Sequence, residues 1–265
     1  MNASHSSFDH GALIELAVFA AREAGEILLS APADGPVQAE AKASPTDLVT
    51  AFDRRSEDRI VELLTAHRPD DGILGEEGGE RPGTSGVRWV IDPLDGTGNF
   101  VSRNPAFVVS LAAEVEGAGV VGVVHDPSRQ ETFSAVRGEG ARLNGRPLRV
   151  SAPTALREAL LSTGFSSNLT VRAKQAALAA RVMGHVRDIR SSGSAAMDLC
   201  WVAAGRLGAY YEGDTRHWDR AAGALIASEA GAWVGDADGG PASDRMVIAC
   251  PPALVGELRA LLGPE

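Results

Sequence analysis

Residues 89–100 read WVIDPLDGTGNF. The apolar run Trp89 to Ile91 predicts a buried strand that ends abruptly in Asp92 and Asp95, with Pro93 forcing the chain out of the ladder. Two carboxylates three residues apart at a strand exit repel each other in a dry site. A divalent cation removes that cost and makes the arrangement favourable. Asp95-Gly96-Thr97 then predicts a turn feeding a short helix. Backbone N–H groups at a helix start bind phosphate, and Gly96 would let the backbone approach it. Taken alone, D-x-x-D-G reads equally well as an Asp-rich turn with a helix cap.

Other carboxylates tip that balance. Gly75-Glu76-Glu77 follows the short run Gly72–Leu74, so one of the two glutamates would sit at a strand end, as Asp92 does. Asp219 begins a predicted helix, WDRAAGALIASEAG, where an N-cap role would suffice by itself. Asp53 differs from both. On a helix predicted over 48–67 it lies about 40° from Val49, on the apolar face, whereas Asp58 lies opposite. An inward-facing aspartate is costly unless it is paired, hydrogen-bonded or metal-bound.

Working outward, residues 11–30 predict an amphipathic helix through Leu13, Leu16, Ala17, Ala20, Ala24, Ile27 and Leu28, broken by Ala31 to Pro36. The helix over 48–67 would start from Thr46 or Asp47 and stop at Pro69. β-prone runs at 72–75, 87–92, 107–115, 119–125 and 131–136 are separated by turn residues. From about residue 155, apolar runs (159–163, 186–190, 207–211, 246–249) alternate with helical stretches (170–183, 194–204, 219–230, 252–262), which suggests a layered αβ half. The change near Ser151–Thr154 divides an N-terminal α+β region, 1–152, from a C-terminal α/β region, 153–265. Trp89, Trp201 and Trp233 read as core. His125 and His185 read as loop or surface residues without metal-ligand spacing.

The chain has 265 residues, 44 % hydrophobic and 23 % charged, which suits a globular protein with a sizeable core and excludes wholesale disorder. Its formal charge of −10 argues against nucleic-acid or anionic-membrane partners, both of which need a positive field. It also opposes the approach of a phosphate ester unless cations are bound. Cys200 and Cys250 form no C-x-x-C and read as buried reduced thiols. The N-terminus MNASHSSFDH lacks the basic and apolar regions of a signal peptide, and no apolar run approaches the ~20 residues that span a bilayer. These readings predict a cytoplasmic protein.

Glu76-Glu77, DPLDGTGN at 92–99 and WDRAAG at 218–223 together resemble the signature of the inositol monophosphatase family. KASPTDLVTAFD at 42–53 and IRSSGSAAMDLCWVAAGRLGAYYE at 189–212 are similar to its flanking segments, and the resemblance runs from about residue 13 to 250. It implies an α+β fold, the layered αβαβα sandwich shared with fructose-1,6-bisphosphatase, and a homodimer. It implies Mg²⁺-dependent, Li⁺-sensitive hydrolysis of a small phosphate monoester without a phosphoenzyme. Two or three Mg²⁺ would be held: one by Glu76, Asp92 and the carbonyl of Leu94; a second by Asp92, Asp95 and Asp219; a third mainly by Glu76 and water. Thr97 would orient the nucleophilic water with Asp53 as its partner, so Thr97, Asp53 and Glu76 would be catalytic. The N–H groups of Gly96 and Thr97 would bind phosphate. Asp95, Gly193, Ser194, Ala195, Glu212 and Asp219 would meet the substrate, with Ser166 or Ser167 nearby and Lys42 beside a closing loop. Gly98 departs from the family's usual Thr or Ser, and Asn104 and His217 fall at variable places.

The leading expectation is an inositol-1-phosphate phosphatase. Histidinol phosphate, fructose 1,6-bisphosphate and 3′-phosphoadenosine 5′-phosphate are alternatives, because relatives share the metals and differ in pocket walls. A catalytically silent metal-binding protein is the alternative of another class.

Overall fold

A computed structural model describes residues 8–32, 37–42 and 47–263. In chain order these form α1 (His10–Leu29), β1 (Ala39–Ala41), β2 (Leu48–Thr50), α2 (Ala51–His67), β3 (Gly72–Gly75), β4 (Gly79–Arg81), β5 (Val87–Asp95), α3 (Thr97–Val101), β6 (Val108–Val115), β7 (Ala118–Asp126), β8 (Glu131–Val136), β9 (Gly140–Leu143) and β10 (Arg146–Pro147). There follow β11 (Leu160–Thr163), α4 (Leu169–Met183), β12 (Asp188–Arg190), α5 (Ala195–Ala203), β13 (Ala209–Glu212), α6 (His217–Glu229), β14 (Trp233–Gly235), β15 (Val247–Cys250) and α7 (Val255–Leu262).

Eight strands make one sheet in the order β10-β9-β8-β7-β6-β5-β3-β4, antiparallel except where β3 runs parallel to β5. Five make a second, β12-β11-β13-β15-β14, with β11 parallel to both its neighbours. The period-two alternation of strand side chains sends the two faces of each sheet into different cores. Trp89, Ile91, Leu111 and Val123 pack under α1 and α2 with Leu13, Ala17, Ala20, Ile60 and Leu64. Val90, Ala112 and Val124 face the other way, onto Ala196, Met197 and Cys200 of α5 and Ala222 and Ile226 of α6. The far side of that helix pair, through Leu199, Val202 and Ala227, meets Tyr210, Val247 and Ala249 of the second sheet. Leu161, Tyr211, Ile248 and Cys250 on its outer face are covered by Val182 of α4 and Leu258 and Leu262 of α7. The layers therefore run αβαβα, as the resemblance implies.

Several expectations need correction. The helix predicted from Leu48 begins at Ala51, because Leu48–Thr50 pairs with β1. Thr50, not Asp47, caps it: its hydroxyl accepts from the N–H groups of Phe52 and Asp53, and its own N–H donates to the Asp53 carboxylate. The other suggested start, Thr46, lies outside the described residues. Pro93 does not end its strand, since β5 continues to Asp95 across an irregularity. Asp219 is the third residue of α6 rather than its cap. His125 is 3 % exposed, within β7. Trp89 is fully buried, its indole N–H donating to Asp71 at 2.9 Å, and both cysteines are buried and free. No helix among the described residues is long and apolar enough to cross a membrane.

Candidate active site

The centre of the site is the end of β5. Asp92 pairs with Ser110 and Asp95 with Val108, so one strand spends three residues where its partner spends two. This is a bulge, and Pro93, which has no N–H to offer the ladder, lies within it. The Leu94 N–H folds back onto Asp92 Oδ1 (3.1 Å), and Ser56 of α2 donates to the Pro93 carbonyl (2.9 Å). Gly96 then turns the chain with φ +99°, and a Cβ there would lie 2.8 Å from the Ala106 carbonyl oxygen. The turn delivers Thr97 to the start of α3, where its hydroxyl lies 2.9 Å from Asp53 Oδ1 and 3.0 Å from the Leu94 carbonyl. Asp53 is 1 % exposed, and its other oxygen is held by the N–H and hydroxyl of Thr50.

The C-terminal elements close on this turn. Asp95 Oδ2 accepts from the Ser194 hydroxyl and the Ala196 N–H, both at 2.7 Å, which puts a carboxylate at the positive end of α5. Ser194 in turn caps α5 by accepting from the Met197 N–H. Asn99 clamps the same junction, donating to the carbonyls of Ala106 and Ser192, both at 2.7 Å. Gly193, with φ +80°, passes so near Asn99 that a Cβ would lie 2.8 Å from its amide nitrogen. Asp219 accepts from the Arg216 N–H (2.7 Å) in the first turn of α6. Glu212, the last residue of β13, accepts from the Tyr210 hydroxyl (2.7 Å).

Glu76, Asp92, Leu94, Asp95, Gly96, Thr97, Gly193, Ser194, Ala195, Glu212 and Asp219 line one cavity of about 170 Å³, with Gly164 and Phe165. The structure thus gathers the candidate metal, phosphate and substrate residues around one space, with Asp53 one hydrogen bond behind Thr97. A second cavity of about 350 Å³ shares Glu76, Phe165, Glu212 and Asp219 and adds Lys42, Ser166, Ser167, Arg216 and Trp218. A larger groove of about 830 Å³ lies elsewhere, around Leu148, Val150, Ala230 and Pro251, and lacks the acidic cluster.

Burial pushes the Asp92 carboxyl well above its usual range, and the charges of Glu76, Asp95 and Asp219 push it further. Burial likewise raises Asp219 to about 8, with Asp95 adding to the effect. Asp95 is raised by burial to about 7, even against the pull of its Ser194 and Ala196 donors. Glu76 is raised by burial although Lys42 Nζ sits 2.8 Å away. Lys42 also pairs with Glu77; burial alone would lower its pKa, and the two glutamates raise it on balance. Glu212 is pushed by burial to about 8.

Buried carboxylates that raise one another are a donor set short of positive charge, and hard oxygen ligands suit Mg²⁺. Among the described residues no three acidic, imidazole or thiol side chains converge on one point. Mg²⁺ does not require that, because it takes one or two carboxylates and keeps several waters. Glu76, Asp92, Asp95, Asp219 and the Leu94 carbonyl line one cavity and are the oxygen donors that such ions take, with waters completing the shell.

Some functional neighbours escaped the sequence reading. Glu57, 4 % exposed, accepts from the N–H groups of Glu77 and Gly78 and so shapes the turn after Glu76. Its signal was present: it lies one helical turn after Asp53, on the same inward face. Tyr210 stands two residues before Glu212 on one strand, which was its signal; Gly164 and Phe165 had none. Ser166 bonds Asp214, Asn104 bonds Asn99, and His217 reaches the buried Glu114 at 2.7 Å.

The chain is similar to known proteins over nearly its whole length. The sequence profile of the inositol monophosphatase family matches residues 9–262. Inositol-1-monophosphatase SuhB of Mycobacterium tuberculosis is 45 % identical over 261 residues, covering 94 % of this chain and 89 % of that protein. The Nus factor SuhB of Pasteurella multocida is 41 % identical over 256 residues, covering 95 % of this chain and 96 % of that one. Among solved structures, the extragenic suppressor protein suhB of Bartonella henselae superposes with a TM-score of 0.89 at 38 % identity, over 95 % of this chain and 98 % of that chain.

Proposed function

We propose, from the premise that this chain belongs to the inositol monophosphatase family and is a phosphatase, that it hydrolyses inositol 1-phosphate to inositol and phosphate with Mg²⁺. The observation that carries this reading is the single cavity in which Glu76, Asp92, Asp95 and Asp219 face the carboxylate of Glu212. The four acids supply a site for cations. Glu212 supplies what a phosphate group cannot use and a polyol can, an acceptor for ring hydroxyls.

Glu76, Asp92 and the Leu94 carbonyl would hold one Mg²⁺, Asp92, Asp95 and Asp219 a second, and Glu76 with water a third. Such ions, when bound, lower the pKa of water and stabilise a leaving oxygen. The chain's own groups do the rest. With its proton on Asp53 or on the Leu94 carbonyl, the Thr97 hydroxyl keeps lone pairs with which to accept from a water and aim it at phosphorus. The N–H groups of Gly96 and Thr97 face the phosphate. Water oxygen bonds to phosphorus as the ester P–O bond breaks; one of the water's protons ends on the departing inositol oxygen and the other stays with the phosphate. Gly193, Ser194 and Ala195, at the start of α5, border the ring, with Glu212 opposite the phosphate.

In this reading residues 1–152 contribute most metal ligands, and 153–265 contribute Asp219 and the substrate contacts. Family resemblance supports a homodimer. Two buried free thiols fit a reducing, cytoplasmic setting. Histidinol phosphate, fructose 1,6-bisphosphate and 3′-phosphoadenosine 5′-phosphate are the competitors. Protein stripped with EDTA should lose turnover and regain it with Mg²⁺, and kcat/KM should be highest for inositol 1-phosphate among these four esters. Full turnover in metal-free buffer would sink the metal assignment. A higher kcat/KM on another ester would sink the substrate.

A further inference from the structure

Glu212 is held from two sides, by Tyr210 and by Gly164. Tyr210 and Glu212, two apart on β13, project from the same face of the strand. Tyr210 is fully buried, and its hydroxyl donates to Glu212 Oε2 at 2.7 Å. It is the donor that Glu212 has among the described residues. On the other side the carboxylate lies flat against Gly164, which follows β11 beside β13. A Cβ at Gly164 would fall 2.0 Å from Oε2 and 2.3 Å from Oε1, so any side chain there would occupy the carboxylate's own place.

We propose that Tyr210 and Gly164 are positioning residues that set substrate specificity by fixing the carboxylate of Glu212 against the cavity wall for hydroxyl recognition. The inference rests on the reading of Glu212 as a contact to a polyol. A glutamate has three side-chain torsions to restrain. The phenol anchors one oxygen, the missing Cβ at Gly164 admits the carboxylate against the wall, and the remaining oxygen is left for the substrate. A buried tyrosine hydroxyl also needs a partner, so the pair is mutually dependent.

The test is a double-mutant cycle assayed on inositol 1-phosphate and on phenyl phosphate, which has no ring hydroxyls. Tyr210→Phe should raise KM for inositol 1-phosphate about tenfold, the scale on which one buried hydrogen bond counts, and leave kcat and the phenyl phosphate constants nearly unchanged. Gly164→Ala, which displaces the same carboxylate from the other side, should also penalise inositol 1-phosphate selectively, and it carries the test should Tyr210→Phe fold poorly. In the Glu212→Ala background, Tyr210→Phe should add nothing. Equal losses on both esters, or additive losses in the double mutant, would overturn the positioning alone. A Glu212→Ala protein with native turnover of inositol 1-phosphate would overturn the polyol reading, and the positioning with it.

Discussion

At the scale of single residues, Asp53 shows how one side chain can serve both folding and chemistry. One oxygen completes the cap of α2 with Thr50, and the other lies 2.9 Å from the Thr97 hydroxyl. The cap holds the carboxylate still, so its free oxygen is aimed without further support. Thr97→Ala removes the hydroxyl while leaving Glu76, Asp92, Asp95 and Asp219 in place. It should lower kcat about 10²-fold, the scale of a positioned proton-transfer group, while Mg²⁺ binding measured by calorimetry stays native. A change confined to KM would remove Thr97 from water orientation. Val49 belongs to β2 and not to α2, but the spacing from Asp53 to Ser56, Ile60 and Leu64 within α2 gives the same face, so the inward lean of Asp53 is legible in the sequence. Its bond to Thr97 is not, because 44 residues separate them.

At the scale of elements, the packing of α1 on the large sheet depends on a buried histidine. Val121, Val123 and His125 alternate along β7 toward α1, so the strand pattern itself pointed His125 inward. Gly25 of α1 lets the ring in, since a Cβ there would lie 2.8 Å from its Cδ2, and Thr132 of β8 meets Nδ1 at 3.0 Å. Burial holds the imidazole pKa down at about 4, against 6.5 ordinarily, with the charge of Arg22 reinforcing it. The ring is therefore neutral in the fold, whereas the unfolded chain takes up its proton first as pH falls. This contribution to stability is complete above 6.5 and is lost as pH falls from there toward about 4, at about 1 kcal/mol per pH unit. Urea unfolding of the Mg²⁺-loaded protein at pH 7 and pH 5 should show this loss, and His125→Asn should show a flatter dependence. Equal slopes in both proteins would mean that the ring is not held neutral.

At the scale of the whole molecule, the site exists where three layers meet: the exit of β5 from one sheet, the starts of α5 and α6 between the sheets, and the end of β13 in the other. Its acids are gathered by tertiary packing at an electrostatic cost. Folded-state values of about 7 for Asp95 and about 8 for Asp219 lie above the ordinary 3.8, so in metal-free protein their protonated forms favour the fold. That contribution is fully present at acid pH and is lost as pH rises through 7 and 8. Cations replace protons in the same place. Mg²⁺ should therefore raise the Tm of metal-free protein, and by more at pH 8 than at pH 6. Thermal melts with and without Mg²⁺ at both values test this, and a Tm indifferent to Mg²⁺ would contradict the cation site.

The sequence by itself determined whatever depends on neighbours a few residues apart. That includes the run into Asp92 and Asp95, the turn at Gly96, the faces of α1 and α2, and the central strands whose near-continuous apolar runs follow from burial on both faces. It left β4 and β10 unread because these short edge strands are exposed and polar, so burial imposes no pattern on them. Only the tertiary structure decided which inward-facing polar groups would meet. Lys42 finds Glu76 across 34 residues, Asn99 finds Ser192 across 93, and Asp95 finds the Ala196 N–H across 101. Periodicity says that such a group must turn inward and be satisfied. The partner is chosen by the stacking of layers, which is a property of the assembled sheets and helices and not of any one segment.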